Sequence, residues 1–523
     1  MMKIIQFLIL LIILLSYTLL IARPVILTTG DLGRHLKNGE IIVKEFFVPN
    51  TNLFTYTNGK FPYINHNWGF GVISYFLQKS IGLTGLHIIF IILPLLTFLV
   101  FFHISWSYSN FYLASWISIL ILPLLASRPH IRPEIFSNLF SGIFLWILIN
   151  YRFKKIPIGY LIILPAIQLF WVNLHIYFYF GLIIVTVFTF EAFISHISGK
   201  DEINYFRNLC FILLISFFVS FVNPSGVNGF LYPLKIFNNY GFSIDENTSA
   251  LTRNNLTNLI SDTYFILALI IFLISTGLIF LKKTMHQKNI IFPLLVIGFM
   301  TAIMSLNSIR NFAIFGFLMI VILSINIKIL LSLEKTKIKK WVLISQIIIT
   351  VILISFYLLS IANKTKISIT PKPTDKEGAE FFLRNNIQGP IFNDFDIGGY
   401  LIYYLYPKHK LFIDNRPEAF PAAFFKETYI PMLENDQKWQ SELKKNNFNT
   451  IFFYRLNRTE PAITFLINRI NDPEWEVVFV NEYTIIFLKK NNLNKKIIDK
   501  YHVQKDVTLI YGSSIKNNEG TFN

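Results

Sequence analysis

Charge is what this chain has least of. Lys, Arg, Asp and Glu make up 15% of its 523 residues, where a soluble globular protein carries about 25%. That deficit excludes an ordinary soluble protein. Cysteine is nearly absent: Cys210 stands alone inside an apolar run, so no intrachain disulfide can form and the redox compartment is unconstrained. Acidic residues number 30 against 47 basic ones, a net charge of +17 with a pI near 9.5. The excess resembles that of a nucleic-acid binder. Much of it, however, lies in short loops between apolar runs, where it reads as a topology signal, with a smaller share facing anionic lipid. No nucleic-acid partner is expected. No internal repeat is present.

What the chain has is hydrophobic length: 53% apolar residues, 54 Phe and a mean hydropathy of +0.51. A membrane helix needs about 20 apolar residues. Runs near 3–22, 83–103, 111–127, 134–150, 157–173, 176–195, 207–222, 262–281, 289–306, 311–332 and 341–361 predict about eleven spans. The first is expected to stay uncleaved, because Ile21-Ala22-Arg23-Pro24 is a poor small-residue cleavage site. Trp68 to Leu77 is shorter and amphipathic, which suits the membrane interface. One set of loops holds Arg152, Lys154 and Lys155, then Lys200 and Arg207, then Lys282, Lys283 and Lys288, then Lys335, Lys337, Lys339 and Lys340. An eleven-span count puts all four on one face, the cytoplasmic one by the positive-inside rule. The N-terminus is then cytoplasmic in a multi-pass plasma or inner membrane protein. Residues 23–82, 127–133, 171–176, 223–261, 307–311 and the tail after Ile361 are extracytoplasmic.

The tail changes in composition. Apolar β-like runs at 390–393, 410–414, 450–454, 475–480 and 484–488 alternate with helical stretches near 375–386, 421–446 and 459–470. That alternation predicts an extracytoplasmic α/β domain over 362–498, with 499–523 loosely structured. The remainder, 1–361, is expected as one transmembrane domain whose first outer loop is 23–82.

The polar residues that look chemically purposeful collect on the outer face: Asp31, Arg34, His35, His66, Arg128, His130, Arg132, Asn173, His175, Asn223 and Arg310. Core packing supplies no reason for this. A reaction at the membrane surface does. If 31–40 is helical, Asp31, Arg34 and His35 share one face, as base, anion clamp and metal ligand, or simply as the polar start of a capped interfacial helix. The turn Arg128-Pro129-His130-Ile131-Arg132-Pro133 holds two guanidiniums and an imidazole between prolines. Arginine forks suit phosphate, and the alternative is a turn braced by Glu134. Asn173 with His175, and Asn223, are polar knots that helix-end capping explains equally well; Arg310 could snorkel. In the tail, Asp394 and Asp396 have carboxylate-pair spacing, Gly398-Gly399 suggests a turn, and Asp414 with Arg416 suggests a local ion pair.

Several short patterns, in order, resemble a family of polytopic bacterial membrane proteins related to the GT-C glycosyltransferases. They are Asp31-x-x-Arg34-His35-Leu36-x-x-Gly39, Asn65-His66-x-Trp68, Arg128-Pro129-His130, Asn173-Leu174-His175 and Asn223-Pro224-x-Gly226. Gly398-Gly399-Tyr400-Leu401 and Phe412-Ile413-Asp414-x-Arg416 complete the series. The resemblance implies an α-helical polytopic GT-C-like fold and transfer of a sugar from a polyprenyl-phosphate donor to a lipid, glycan or protein acceptor. It matches Asp31 to the catalytic acidic residue of the first outer loop. The chain lacks both the Asp-Glu pair of the protein mannosyltransferases and the Trp-Trp-Asp of the oligosaccharyltransferases, so the substrate class is not named by it. On this reading Asp31 is the base of an inverting reaction. Arg128, Arg132, Arg310 and Arg34 hold donor phosphate, while His35, His66, His130, His175, Asn173 and Asn223 orient the site. A divalent metal would draw on Asp31, His35 and His66. A flippase for a lipid-linked glycan would instead place ionisable groups in mid-membrane, and a non-catalytic assembly protein would leave Asp31 replaceable.

Overall fold

The computed structural model describes residues 2–199, 203–235, 240–242, 247–249, 259–281, 288–331, 367–501 and 503. The expected span 341–361, the basic cluster 335–340 and most of the tail 499–523 lie outside the described residues. The chain divides into two compact units: one comprises 1–24, 84–233 and 244–369, the other 25–83, 234–243 and 370–523. Residues 25–83 fall in the second of these units, with the C-terminal residues.

The first unit is all helix. Met2–Ile21, Phe111–Leu125, Glu134–Arg152, Ile163–Leu174, Phe178–Ile197, Ile203–Val219, Leu259–Leu281, Lys288–Asn307 and Phe312–Leu330 match expected spans. The second expected span lies in a helical stretch, Trp68–Tyr108, broken at Gly82 (φ 71°, ψ 177°). The interfacial segment 68–77 therefore runs on to the break, and the helix after it enters the first unit. Six helices are long and apolar enough to cross a membrane, and four shorter apolar helices accompany them among the described residues. Helix 312–330 is apolar on every face as far as Leu323, the mark of a buried position. Of its apolar stretch 72% is buried, against 33% for Lys3–Ile21 and Ile260–Leu281.

Several hydroxyls inside these helices are satisfied locally. Ser16, Thr97, Ser115 and Ser324 each donate to the carbonyl four residues back. Arg152, expected as a loop charge, keeps only 10% of its side chain exposed. Its guanidinium donates twice to Glu191 Oε1, at 3.2 and 2.9 Å, and lies 5.0 Å from the Tyr205 ring.

The second unit is built on a four-stranded sheet of order β1-β2-β4-β3, with β1 (Ile391–Asn393), β2 (Thr450–Tyr454), β3 (Trp475–Val480) and β4 (Thr484–Lys489). β1 and β2 run parallel; β4 pairs antiparallel with both β2 and β3. β2 is apolar without alternation because both its faces are covered, as in a central strand.

Two expectations for this unit are corrected. Residues 410–414 form no strand of the sheet. Leu411 instead exchanges backbone hydrogen bonds with Phe54 and Tyr56, as an isolated bridge. Gly398-Gly399 opens a helix, Gly398–Leu405, rather than a turn. That helix packs on Leu32–Glu45, where a Cβ on Gly33 would stand 2.6 Å from the Gly399 carbonyl oxygen. Only glycine allows the two backbones so close. The expected helix 421–446 is interrupted at Asn435, whose side chain caps Asp436–Asn446 by accepting from the Gln437 and Lys438 amides.

Candidate functional site

In the first unit, three turns read above as lying on one membrane face meet around one cavity. It has about 750 Å³ of empty space, part of it open to solvent. Arg128 and His130 come from the turn after Phe111–Leu125. Tyr177 comes from the turn before Phe178–Ile197, and Arg310 from the short 3-10 turn Ile309–Asn311. His87, Glu134 and Asn138 add polar groups, while Tyr17, Phe90, Ile91, Ile314 and Phe317 make the wall apolar. Arg128 pairs with Glu134 at 3.3 Å, so the bracing alternative is realised, yet the guanidinium still faces the cavity. His87 Nδ1 lies 3.2 Å from the Ile369 carbonyl oxygen; a carbonyl only accepts, so this nitrogen carries the proton.

The other outer residues of this unit stand elsewhere. Asn173 donates to the Leu169 and Val222 carbonyls, both at 2.9 Å, tying two helix ends. Asn223 closes its own turn, donating to Ser220 and Gly226 and accepting from the Ser225 amide. Arg132 is half-buried and does not line the cavity. His175 is buried behind it, with Nδ1 2.7 Å from Ser137 Oγ. His87, Tyr177, Ser137 and Asn311 were not singled out from sequence.

Asp31, Arg34, His35 and His66 belong to the second unit. Asp31 precedes helix Leu32–Glu45 but makes no side-chain cap. Its Oδ1 is 3.1 Å from the Arg34 guanidinium and accepts from Asn415 Nδ2 at 2.9 Å. Close by, Arg34 Nε and Asn415 Oδ1 are buried with no hydrogen-bond partner. Leaving such a buried donor or acceptor unpaired costs about 1–3 kcal/mol each. Burial alone would lower the Arg34 pKa, but the charges of Asp31, Tyr63 and Glu418 outweigh it and the value is raised. His35 is buried, edge-on to Phe70 at 4.9 Å, and the His66 ring nitrogen lies 3.3 Å from the Ile64 carbonyl oxygen.

The expected metal set Asp31, His35 and His66 does not form. Asp31 is turned to Arg34 and Asn415, and His35 is turned to the Phe70 ring. Among the described residues no three His, Cys, Asp or Glu side chains gather as a ligand group.

Deeper in this unit, Arg416 is buried in a fork on Asp414, with Nη2 to Oδ2 at 2.6 Å. It also donates to Asn52 and lies 4.8 and 4.6 Å from the Phe54 and Tyr63 rings. Asp394 accepts from Asn457 and from the Asp396 amide. Burial, then the Asp396 charge, raises its pKa well above the usual carboxylate range. The folded state thus holds a proton that the unfolded state gives up above about pH 4. This group's contribution to stability therefore falls as pH rises from there towards its raised pKa, and its cost is complete above it. Amide-exchange protection of β2 in the full-length protein is expected to fall over that window, with a shallower slope for Asp394→Asn. Equal slopes would remove Asp394 as the cause.

No protein-family model and no curated protein matches the sequence. Solved structures do match in fold. The archaeal oligosaccharyltransferase AglB from Archaeoglobus fulgidus, in complex with an inhibitory peptide and a dolichol-phosphate, superposes with a TM-score of 0.59 at 12% identity, over 91% of this chain and 74% of that one. ArnT from Cupriavidus metallidurans bound to undecaprenyl phosphate gives 0.51 at 11% identity, over 94% and 98%. The fold is GT-C-like. A structure of the Archaeoglobus oligosaccharyltransferase with Zn and sulfate gives 0.55 at 13% identity, over 92% and 73%. With its apolar helices, a chain of this fold is an integral membrane protein.

Proposed function

We propose that this protein is a glycosyltransferase that moves a sugar from a polyprenyl-phosphate carrier to an extracytoplasmic acceptor, with inversion. The observation that carries the reading is the cavity of the first unit, where two guanidiniums stand beside an apolar wall. A lipid phosphate has the matching chemistry, an anionic head on a hydrocarbon chain. Arg128 and Arg310 against Glu134 leave a net charge of +1, the complement of the single negative charge on a phosphodiester-linked sugar. A second charge develops on the phosphate as it departs. Guanidinium donors aimed at that oxygen favour the transition state over the ground state. The structures of similar fold that hold dolichol-phosphate and undecaprenyl phosphate support a carrier of this class.

Asp31 is proposed as the base. As the acceptor oxygen or nitrogen bonds to the anomeric carbon, its proton passes to the Asp31 carboxylate. The bond from that carbon to the phosphate oxygen breaks, and its electron pair leaves with the phosphate. The Asp31 side chain is 23% exposed, so an acceptor can reach its carboxylate.

The test supplies polyprenyl-phosphate sugars and lipid or peptide acceptors to the protein in lipid nanodiscs. Donor turnover by wild type is expected, with Arg310→Ala slower by roughly 10²–10³ and Arg310→Lys partly restored. Parallel reactions with and without divalent metal read any metal requirement. Equal turnover by Arg310→Ala would take the phosphate role from Arg310. Absence of both binding and turnover across the donor panel would end the reading.

A further inference from the structure

Behind the cavity wall lies a buried polar chain that the proposed chemistry does not itself use. Trp171 Nε1 donates to Ser137 Oγ at 2.7 Å. Ser137 is fully buried, and the one acceptor within reach of its own proton, among the described residues, is His175 Nδ1, also at 2.7 Å. An indole N–H can only donate, so the serine oxygen accepts from Trp171 and passes its proton towards the histidine. His175 Nδ1 is thereby an acceptor, and a neutral ring then carries its hydrogen on Nε2.

The His175 ring lies 4.7 Å from the ring of Tyr177, whose hydroxyl donates to Asn311 Oδ1 at 2.6 Å. Asn311 is buried and donates in turn to the Met304 and Ser308 carbonyls, at 2.8 and 3.3 Å. Asn311 and Arg310 share one 3-10 turn. The chain therefore begins on helix Glu134–Arg152, crosses the 175–178 turn, and ends on the backbone that presents Arg310.

We propose that Ser137 and His175 are positioning residues: they lock one histidine tautomer and, through Tyr177 and Asn311, hold Arg310 ready for the donor phosphate. This rests on the phosphate-binding reading of the cavity. Buried hydrogen-bond networks rigidify what they connect, and a preorganised cation needs no rearrangement when charge develops.

The experiment has two arms on the full-length protein in nanodiscs. In the first, ¹⁵N-histidine solid-state NMR reads the His175 ring, assigned by its loss in His175→Gln. A proton on Nε2 and a bare Nδ1 are expected, with the distinction lost in Ser137→Ala. A proton on Nδ1 in the wild type would overturn the inference and leave the proposed function standing.

The second arm measures binding of undecaprenyl phosphate and donor KM and kcat. Ser137→Ala is expected to weaken binding roughly tenfold, and His175→Phe, which keeps the ring but not its nitrogens, to do the same. Ser137→Thr should restore most of it. In the Arg310→Ala background, Ser137→Ala should add little, because coupled residues fail to add. A purely structural role would lower Tm and leave donor affinity unmoved or additive in that background, and either result overturns the proposal. The correct tautomer with no undecaprenyl phosphate bound by the wild type would overturn the cavity reading, and the positioning role with it.

Discussion

Asp31→Asn is expected to lower sugar transfer by about 10²–10⁴, the usual worth of a positioned general base, while donor binding and folding persist. The expectation follows from the partners of this side chain. The Arg34 guanidinium and Asn415 Nδ2 both reach Oδ1, and an asparagine amide oxygen can accept from both, so the local hydrogen bonds survive the change. What is lost is the capacity to take a proton, together with the negative charge that offsets the buried Arg34 guanidinium. Single-turnover transfer with saturating donor, measured beside undecaprenyl phosphate binding, separates the base from the phosphate groups. Transfer lost with binding intact fits the assignment. Equal transfer by the variant would remove Asp31 from the chemistry, and binding lost together with transfer would make it a structural or donor-contacting residue.

Much of this architecture was legible because a bilayer imposes one solution on apolar length. Ten of the expected spans coincide with helices among the described residues, and the Arg128 turn of the cavity stood out because it holds two guanidiniums and an imidazole between prolines, whereas Arg310 read as a residue that could snorkel. Asn173 and Asn223 carry the same polar signal in the sequence, yet they satisfy helix ends. A capping asparagine and a ligand-facing one carry the same sequence signal, and only the partner tells them apart. Ser137 was invisible for the converse reason. A serine in an apolar helix ordinarily bonds its own backbone, as Ser115 and Ser324 do, and nothing local announces that Trp171 and His175 claim it instead. The glycine pair at 398–399 was misread because close approach between helices and a turn both demand glycine. What decides is the Gly33 backbone facing it, which is far away in sequence. The grouping of residues 25–83 with 370–523 is of the same kind, since long-range pairing leaves no periodic trace.

The largest loss of stability is expected from Arg416→Ala, about 3–5 kcal/mol in the second unit, because it leaves the Asp414 carboxylate buried without its counter-ion. Arg416 and Asp414 are both fully buried, and the arginine also bonds Asn52 and lies against Phe54 and Tyr63. Arg416→Lys should recover little, since an ammonium has neither the planar fork nor the stacking face. Removing both charges with volume kept, Asp414→Asn with Arg416→Met, should cost less than Arg416→Ala alone, because the damage lies in the orphaned charge more than in the lost attraction. Pulse proteolysis of the full-length protein, scored for cleavage within 25–83 and 370–501, ranks the three variants. A double variant as damaged as the single one would show that the ring contacts and the Asn52 bond dominate over charge. The consequence reaches function through the chain itself. Asn415, which holds Asp31, sits between the two residues of the pair, so a unit that loosens there is expected to lose transfer before it loses donor binding.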